Sequence, residues 1–272
     1  MSNEVGVLAG LKYPEPSLAG VAAFGLKVCQ LCCWDGSKFT PESAAAIREE
    51  RNKTGVKINS LWAGWPGPKK WNFTEGPTTL GLVPPEYRDE RVAALKKAAD
   101  WAADVGLAAI ATHLGFIPEN PSDPLWPGVV EAVKDVAEHA KAKGIGFWFE
   151  TGQETPVTMK RLIEVVGTGN LGVNLDTANL ILYGKANPID ALDVFGEYVY
   201  SLHAKDGLYP TDPMKLGREV KVGEGKVRFP EFIARLKEIG CEAPLIIERE
   251  ISGEQQKKDI ADTVGYLRKL VG

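Results

Sequence analysis

The sequence predicts an α/β protein, a single (β/α)8 barrel over residues 1–272 with a metal site at the C-terminal mouth of its strands. Three observations carry that prediction. The length, 272 residues, is typical of one such barrel. Short apolar runs alternate with helix-like segments, and the runs are near-continuous, as expected when both faces of a parallel sheet are covered. Four late runs also share one grammar, each delivering a metal-competent side chain at or near its end: Glu150 in GFWFETG, Asp176 in GVNLDTAN, His203 in VYSLHAKD and Glu248 in PLIIERE. Such groups converge only if their strands are parallel with their C-terminal ends together, which is the geometry of a barrel mouth.

The elements follow in order. Residues 5–9 form a first strand, before a Pro-containing loop and a brief helix over 17–24. Residues 26–34, LKVCQLCCW, form the second strand. Thr40-Pro41-Glu42 combines a capping Thr, Pro at the first helical position and an acid in the first turn, so a helix starts there and stops at Gly55. The third strand covers 56–63. Residues 64–85 hold Trp65, Trp71, Phe73 and prolines at 66, 68, 77, 84 and 85. A loop of that length in a compact fold is usually functional, and its aromatics predict a lid or wall at the mouth. A helix over 86–105 presents Val92, Leu95 and Ala99 as its apolar stripe, and Gly106 ends it. Strand four (107–114), helix 129–143, strand five (145–151), helix 156–166, strand six (171–176), helix 188–195 and strand seven (198–204) follow. A long loop runs to Arg228; helix 230–239, strand eight (245–248) and a helix over 254–270 close the chain. Glu150 to Asp176 and Asp176 to His203 are separated by 26 and 27 residues, each close to one strand-helix repeat.

The bulk numbers narrow the function classes. An apolar fraction of 44% supports a large core and excludes disorder. A net charge of −4 gives no global basic field, so nucleic acid is not an expected partner. No apolar run is long enough to span a bilayer and no signal peptide is evident, so no membrane partner is expected. Cys29, Cys32 and Cys33 crowd one strand, with Cys241 far away, which reads as reduced thiols and a cytoplasmic setting. Cys29 and Cys32 are three apart on a strand and point to opposite faces, so they make no zinc knuckle.

Three carboxylates and one imidazole suit a divalent cation, with Mn²⁺ favoured and Co²⁺, Mg²⁺ or Zn²⁺ admissible. A single buried acid at a strand end is often a helix cap or a salt-bridge partner. Four such groups in register at one end of successive strands point to a shared ion. The stretches FETGQE, NLDTAN, SLHAKD, VGEGKVRFPEF and LIIERE resemble the sugar phosphate isomerase/epimerase superfamily. This is the xylose isomerase-like TIM-barrel group, which includes ketose 3-epimerases, inosose dehydratases, hydroxypyruvate isomerases and the AP endonuclease family. The resemblance covers most of the chain from strand four onward and is weak before it. It implies one divalent metal ion held by Glu150, Asp176, His203 and Glu248. It further implies that Glu150 and Glu248 are catalytic: one carboxylate takes the proton alpha to a sugar carbonyl, giving an enediolate that the metal stabilises, and the other returns a proton from the opposite face.

The same resemblance implies substrate contacts for His113 and for Arg218, which precedes the Gly223-x-Gly225 turn. Asn179 stands where many relatives have a His, and an amide suits a hydroxyl better than a metal. Glu154 is a further substrate-contact candidate. Trp34 and Trp62 end strands two and three, where an indole can pack on a sugar's C–H face or fill the core. Asp206 either orients the site or is an exposed turn acid. The expected partner is a small carbohydrate. Relatives are often dimers or tetramers, so a homo-oligomer is admitted. Two other enzyme classes share the scaffold: a metal-dependent sugar or inosose dehydratase, which would eliminate water with the same metal and base, and an abasic-site endonuclease, which needs a three-metal cluster with more histidines than the three present here. A non-catalytic sugar-binding barrel is the remaining alternative.

Overall fold

The computed structural model describes residues 3–272. β1 (Val5–Gly10) leads through α1 (Ala19–Ala23) to β2 (Val28–Cys33). α2 (Pro41–Thr54) opens on a reciprocal cap: Thr40 accepts from the Ser43 amide and Ser43 accepts from the Thr40 amide. β3 (Lys57–Ala63), α3 (Gly76–Thr79) and α4 (Pro85–Val105) follow. Then come β4 (Ala109–His113), α5 (Trp126–Ala142), β5 (Gly146–Glu150), α6 (Pro156–Val166) and β6 (Leu171–Asp176). Two helices, α7 (Thr177–Leu182) and α8 (Pro188–Phe195), precede β7 (Val199–Ala204). The chain finishes with a small pair of strands, β8 (Asp206–Leu208) and β9 (Arg218–Val220), then α9 (Phe229–Glu238), β10 (Leu245–Ile247) and α10 (Glu254–Val271).

Eight strands close into a parallel barrel in the order β1-β10-β7-β6-β5-β4-β3-β2, while β8 and β9 form a separate antiparallel pair. Strand alternation divides the side chains into two apolar regions. On β5, Phe147 and Phe149 face outward into the shell beneath the helices, while Trp148 faces the barrel interior. Inside, Ala109 and Ala111 leave the room that Trp62 and Trp148 fill. Truncating a buried phenylalanine such as Phe147 costs about 3–5 kcal/mol, so the outer shell supplies much of the fold's stability.

The pairing register aligns the mouth. His113 pairs with Glu150 and Asp176 with His203, while Glu150 itself pairs with Asn174, so the second pair stands two residues further along its strands at the same end of the barrel. Ile247 pairs with Ala204, which sets Glu248 beside Lys205, one step higher.

Three connections carry structure of their own, the first as a wall of the kind its aromatics predicted. Residues 64–85 contain α3 and bury Trp65, so the stretch is a folded wall. The stretch after β7 is organised by Asp206. Its buried carboxylate accepts from the amides of Gly207 (2.9 Å), Gly223 (3.0 Å), Gly225 (3.0 Å) and Val227 (3.1 Å). A Cβ at Gly225 would lie 2.1 Å from that carboxylate, so only glycine fits there. Asp206 is therefore a buried loop organiser, not an exposed turn acid. Finally, α7 follows β6 without a break because Asp176 caps it.

Candidate metal centre

Glu150, Asp176, His203 and Glu248 meet at the mouth, each offering one ligand atom, and these atoms all lie within 4.8 Å of one another. His203 Nδ1 lies 3.1 Å from Glu150 Oε1, 3.1 Å from Glu248 Oε2 and 3.6 Å from Asp176 Oδ2. Bonds of about 2.0–2.2 Å to one ion put ligand atoms at most about 4.4 Å apart, so a slight contraction of this set would close it around a cation.

Each ligand is aimed by its own element. Asp176 divides its two oxygens. Oδ1 accepts from the Asn179 amide at 2.7 Å and caps α7, whereas Oδ2 is buried and makes no hydrogen bond. That oxygen is left to the cations around it, the Lys205 ammonium at 3.3 Å and His203 Nδ1 at 3.6 Å, which is the setting a metal ligand needs. His203 is fixed from behind. Its Nε2 lies 2.6 Å from Gln30 Oε1, an acceptor, so Nε2 carries a proton and Nδ1 is the nitrogen turned toward the ring, the one that would bind an ion on losing its own proton. Gln30 is itself held by donating to Ser60 Oγ (2.8 Å) and Asn174 Oδ1 (3.1 Å), both buried inside the barrel. Glu150 accepts from the Trp62 indole and from Asn179 Nδ2 (3.3 Å), and His113 Nε2 lies 3.4 Å from Oε1.

Charge at the mouth is concentrated. Lys205 is 1% exposed, with Nζ 3.3 Å from Asp176 Oδ2, 3.3 Å from Glu248 Oε2 and 2.8 Å from Glu250 Oε1. Burial alone would lower its pKa, but Asp176, Glu248 and Glu250 outweigh burial and hold it well above the ordinary lysine value. His203 follows the same balance: burial opposes its charge, and the Glu150 and Glu248 carboxylates raise it well above the ordinary imidazole value. Burial would raise Glu150, yet the imidazoles of His113 and His203 hold it well below the usual carboxylate range. Without a metal, the acids are thus compensated by Lys205 and by protons on histidine. A divalent ion would replace the proton on His203, so metal affinity is coupled to pH.

The remaining predicted residues are placed unevenly. His113, Asn179, Trp34 and Trp62 line the cavity above the four ligands. Glu154 is buried beside it, donating nothing and accepting from the Gly152 amide at 3.2 Å, and burial pushes its carboxyl up to about 7. Arg218 is not brought to the site. It sits exposed on β9, paired with Leu208, while its neighbour Glu219 faces the mouth and engages Arg249 and the Glu250 amide. The arginine that lines the cavity is Arg249. Sequence reasoning missed Gln30 and Lys205 as working parts of the centre. Each carries a signal in hindsight: Gln30 is the one strongly polar side chain within VCQLCC, and Lys205 directly follows a buried strand.

A closed parallel barrel carrying this donor set at its mouth defines a class: a metal-ready α/β barrel. The family described as xylose isomerase-like TIM barrel matches residues 18–270, and the chain belongs to it. A xylose isomerase domain protein from Planctomyces limnophilus is 36% identical and superposes with a TM-score of 0.93 over 99% of this chain and 98% of that one. A D-tagatose 3-epimerase-like protein is 20% identical, with a TM-score of 0.71 over 98% and 97% of the two chains. An uncharacterized protein of Methanocaldococcus jannaschii is 25% identical, covering 92% of this chain and 85% of that protein. Among the described residues no helix is long and apolar enough to cross a membrane.

Proposed function

We infer that the protein is a divalent-metal-dependent sugar isomerase or epimerase, ketose 3-epimerase-like, that moves a proton alpha to a carbonyl with Glu150 and Glu248. One observation carries the reading: two carboxylates flank a single donor, His203 Nδ1, at 3.1 Å each, and they come from strands on either side of β6 and β7. Inversion at a carbon needs a base on one face and an acid on the other, which two acids on separate strands can supply. The D-tagatose 3-epimerase-like relative supports the same substrate class.

Glu150, Asp176, His203 and Glu248 would hold the ion. A divalent ion there supplies Lewis acidity toward the oxygens of an α-hydroxy ketone, and Mn²⁺ suits the three oxygen and one nitrogen donors. The protein's own groups do the rest. Glu248 is the more open carboxylate and faces the cavity, so it is placed to take or return the proton. Glu150 is held by Trp62, Asn179 and His203, which fixes its reacting oxygen in one position. His113, Asn179 and Gln153 line the cavity where substrate hydroxyls would lie. A positioned acid or base contributes about 10²–10⁴-fold.

The test is deuterium entry into ketoses in D₂O with Mn²⁺ present. Wild-type protein exchanges the proton alpha to the carbonyl, and E150Q and E248Q each lose about 10²–10⁴-fold of that rate. Full activity of the E150Q/E248Q double variant would overturn the two-carboxylate scheme. A product lighter by one water would assign the same centre to elimination instead.

A further inference from the structure

The cavity above the centre has a volume of about 540 Å³, well within the range that encloses a drug-sized ligand and larger than a monosaccharide requires. Its walls differ in chemistry. One wall is tryptophan. Trp34 and Trp71 line the cavity and remain 41% and 38% exposed; Trp62 also lines it but is buried, and Trp65 is buried behind them. Trp34 stacks on Trp65 with ring centroids 5.1 Å apart and 22° between planes, and Trp71 meets both edge-on at 6.3 and 6.0 Å. Trp34 also lies flat on Gly64, where a Cβ would come within 2.3 Å of its ring. The wall is therefore rigid from behind. Rigid, partly exposed indole is apolar surface that a sugar ring's C–H face or an aromatic ring can cover at little ordering cost.

The other wall is polar and offers no free positive charge. Arg249 engages Glu219 and Asp259, each at 2.9 Å. Lys205 is enclosed by Asp176, Glu248 and Glu250. Lys69 is exposed at the rim, with its ammonium 5.0 Å over the Trp34 ring, and does not line the cavity. Glu150, Glu248 and Glu250 do line it. Outside the metal centre, a phosphate or carboxylate would meet Glu250, already paired with Lys205, and no uncommitted lysine or arginine. Neutral hydroxyls find better partners. Gln153 and Tyr183 line the cavity and are buried; they interact with each other, and neither the Gln153 amide atoms nor the Tyr183 hydroxyl makes a well-formed hydrogen bond elsewhere in the protein.

We propose that the cavity takes an uncharged, two-part sugar. The reacting unit sits over the metal centre, and a second sugar ring or an aromatic aglycone rests on the Trp34–Trp71 wall. The proposal rests on the reading of the centre as a sugar isomerase or epimerase and adds a subsite to it. Free monosaccharides and phosphosugars are correspondingly poorer ligands.

A matched set of ketoses tests it on the Mn²⁺-loaded full chain: D-fructose, isomaltulose (fructose glucosylated at O6), lactulose (fructose galactosylated at O4) and D-fructose 6-phosphate. Calorimetric titration measures binding and D₂O exchange measures turnover on the same samples. The better disaccharide binds about tenfold or more tighter than fructose, and fructose 6-phosphate binds no tighter than fructose. W71A removes most of the disaccharide's advantage, and W71F restores it. The proposal is overturned if fructose 6-phosphate ranks first, if neither disaccharide exceeds fructose, if no sugar in the set binds, or if W71A weakens fructose and disaccharide by equal factors. The wild-type ranking decides the matter even where W71A does not fold. Absence of deuterium in every sugar, with the binding order intact, removes the catalytic reading and leaves the subsite. Exchange into fructose without a disaccharide preference does the reverse.

Discussion

The two sides of the barrel mouth are held in place by different forces. On the side of β5, β6, β7 and β10, charge does the work: Glu150, Asp176, His203, Glu248 and Lys205 fix one another through ion pairs and shared hydrogen bonds. On the side of β2, β3 and the segment after β3, packing does it: Trp34, Trp62, Trp65 and Trp71 lean on one another and on a glycine. Buried charges are strong only as a set, because each depends on its partners for solvation. Stacked indoles are weaker pair by pair but tolerate loss of one member. The charged side should therefore fail cooperatively when one group is removed, and the aromatic side should change what binds without unfolding.

The largest effect expected is on Lys205. K205M leaves Asp176, Glu248 and Glu250 facing one another, and removing one partner of a buried ion-pair set costs about 3–5 kcal/mol. Urea titration of the metal-free variant should show that loss. Saturating Mn²⁺ should restore a large part of it, since a bound cation replaces the missing charge and stabilises the folded state by mass action. A loss that metal does not offset would mean that Lys205 supports packing and not the charge balance.

Next in size is a pH effect at the seam between the two sides. Burial pushes the Glu154 carboxyl from 4.5 up to about 7. The unfolded chain gives up that proton near the lower value while the folded protein keeps it to the higher one. Between them the native state binds more protons, so this group's contribution falls as pH rises, by on the order of 3 kcal/mol in all. E154Q should flatten the stability profile across that window and leave the variant more stable than wild type at pH 8. An unchanged slope in denaturant titrations from pH 4.5 to 8 would remove Glu154 from the balance.

The smallest of these effects concerns Gln30. Q30L deprives His203 Nε2 of its acceptor and frees the ring to turn. Partners of this kind contribute about 10–100-fold to metal affinity, read directly as a weaker Mn²⁺ dissociation constant. Q30E, which keeps an acceptor at the same place, should recover much of it. Equal affinities for Q30L and wild type would show that packing alone orients the imidazole.

The eight barrel strands and the convergence of Glu150, Asp176, His203 and Glu248 were legible in the sequence for a simple reason. Parallel strands buried on both faces leave apolar runs, and a charged group at the end of such a run stands out, as Glu150 does after GFWF. Local signals also placed the caps, with Thr40 and Gly55 bounding α2 as expected. What escaped was non-local. Nothing near Arg218 in the chain says that β8 and β9 pair and leave it exposed, since the stretch is organised by Asp206 gathering amides up to 21 residues away. Nothing near Lys205 announces that Glu250 and Asp176 will enclose it. Gln30 is 173 residues from His203, and only closure of the barrel brings them together. The early strands, in which none of the recognised motifs falls although the family match begins at residue 18, supply the aromatic side. There the sequence offered Trp34 and Trp62 as residues of either role, and tertiary packing decides which faces of them stay open.

The division of labour within Asp176 has a consequence for descendants of this protein. One oxygen starts a helix and the other faces the three remaining members of the candidate site, so on the reading proposed above folding and chemistry would act on the same side chain. A lineage that abandoned the reaction could shed Glu248 freely yet would still keep an acid or amide at 176 to avoid fraying α7. Retention of that position alone is thus a poor witness to activity among homologues, and the glutamates are the better ones.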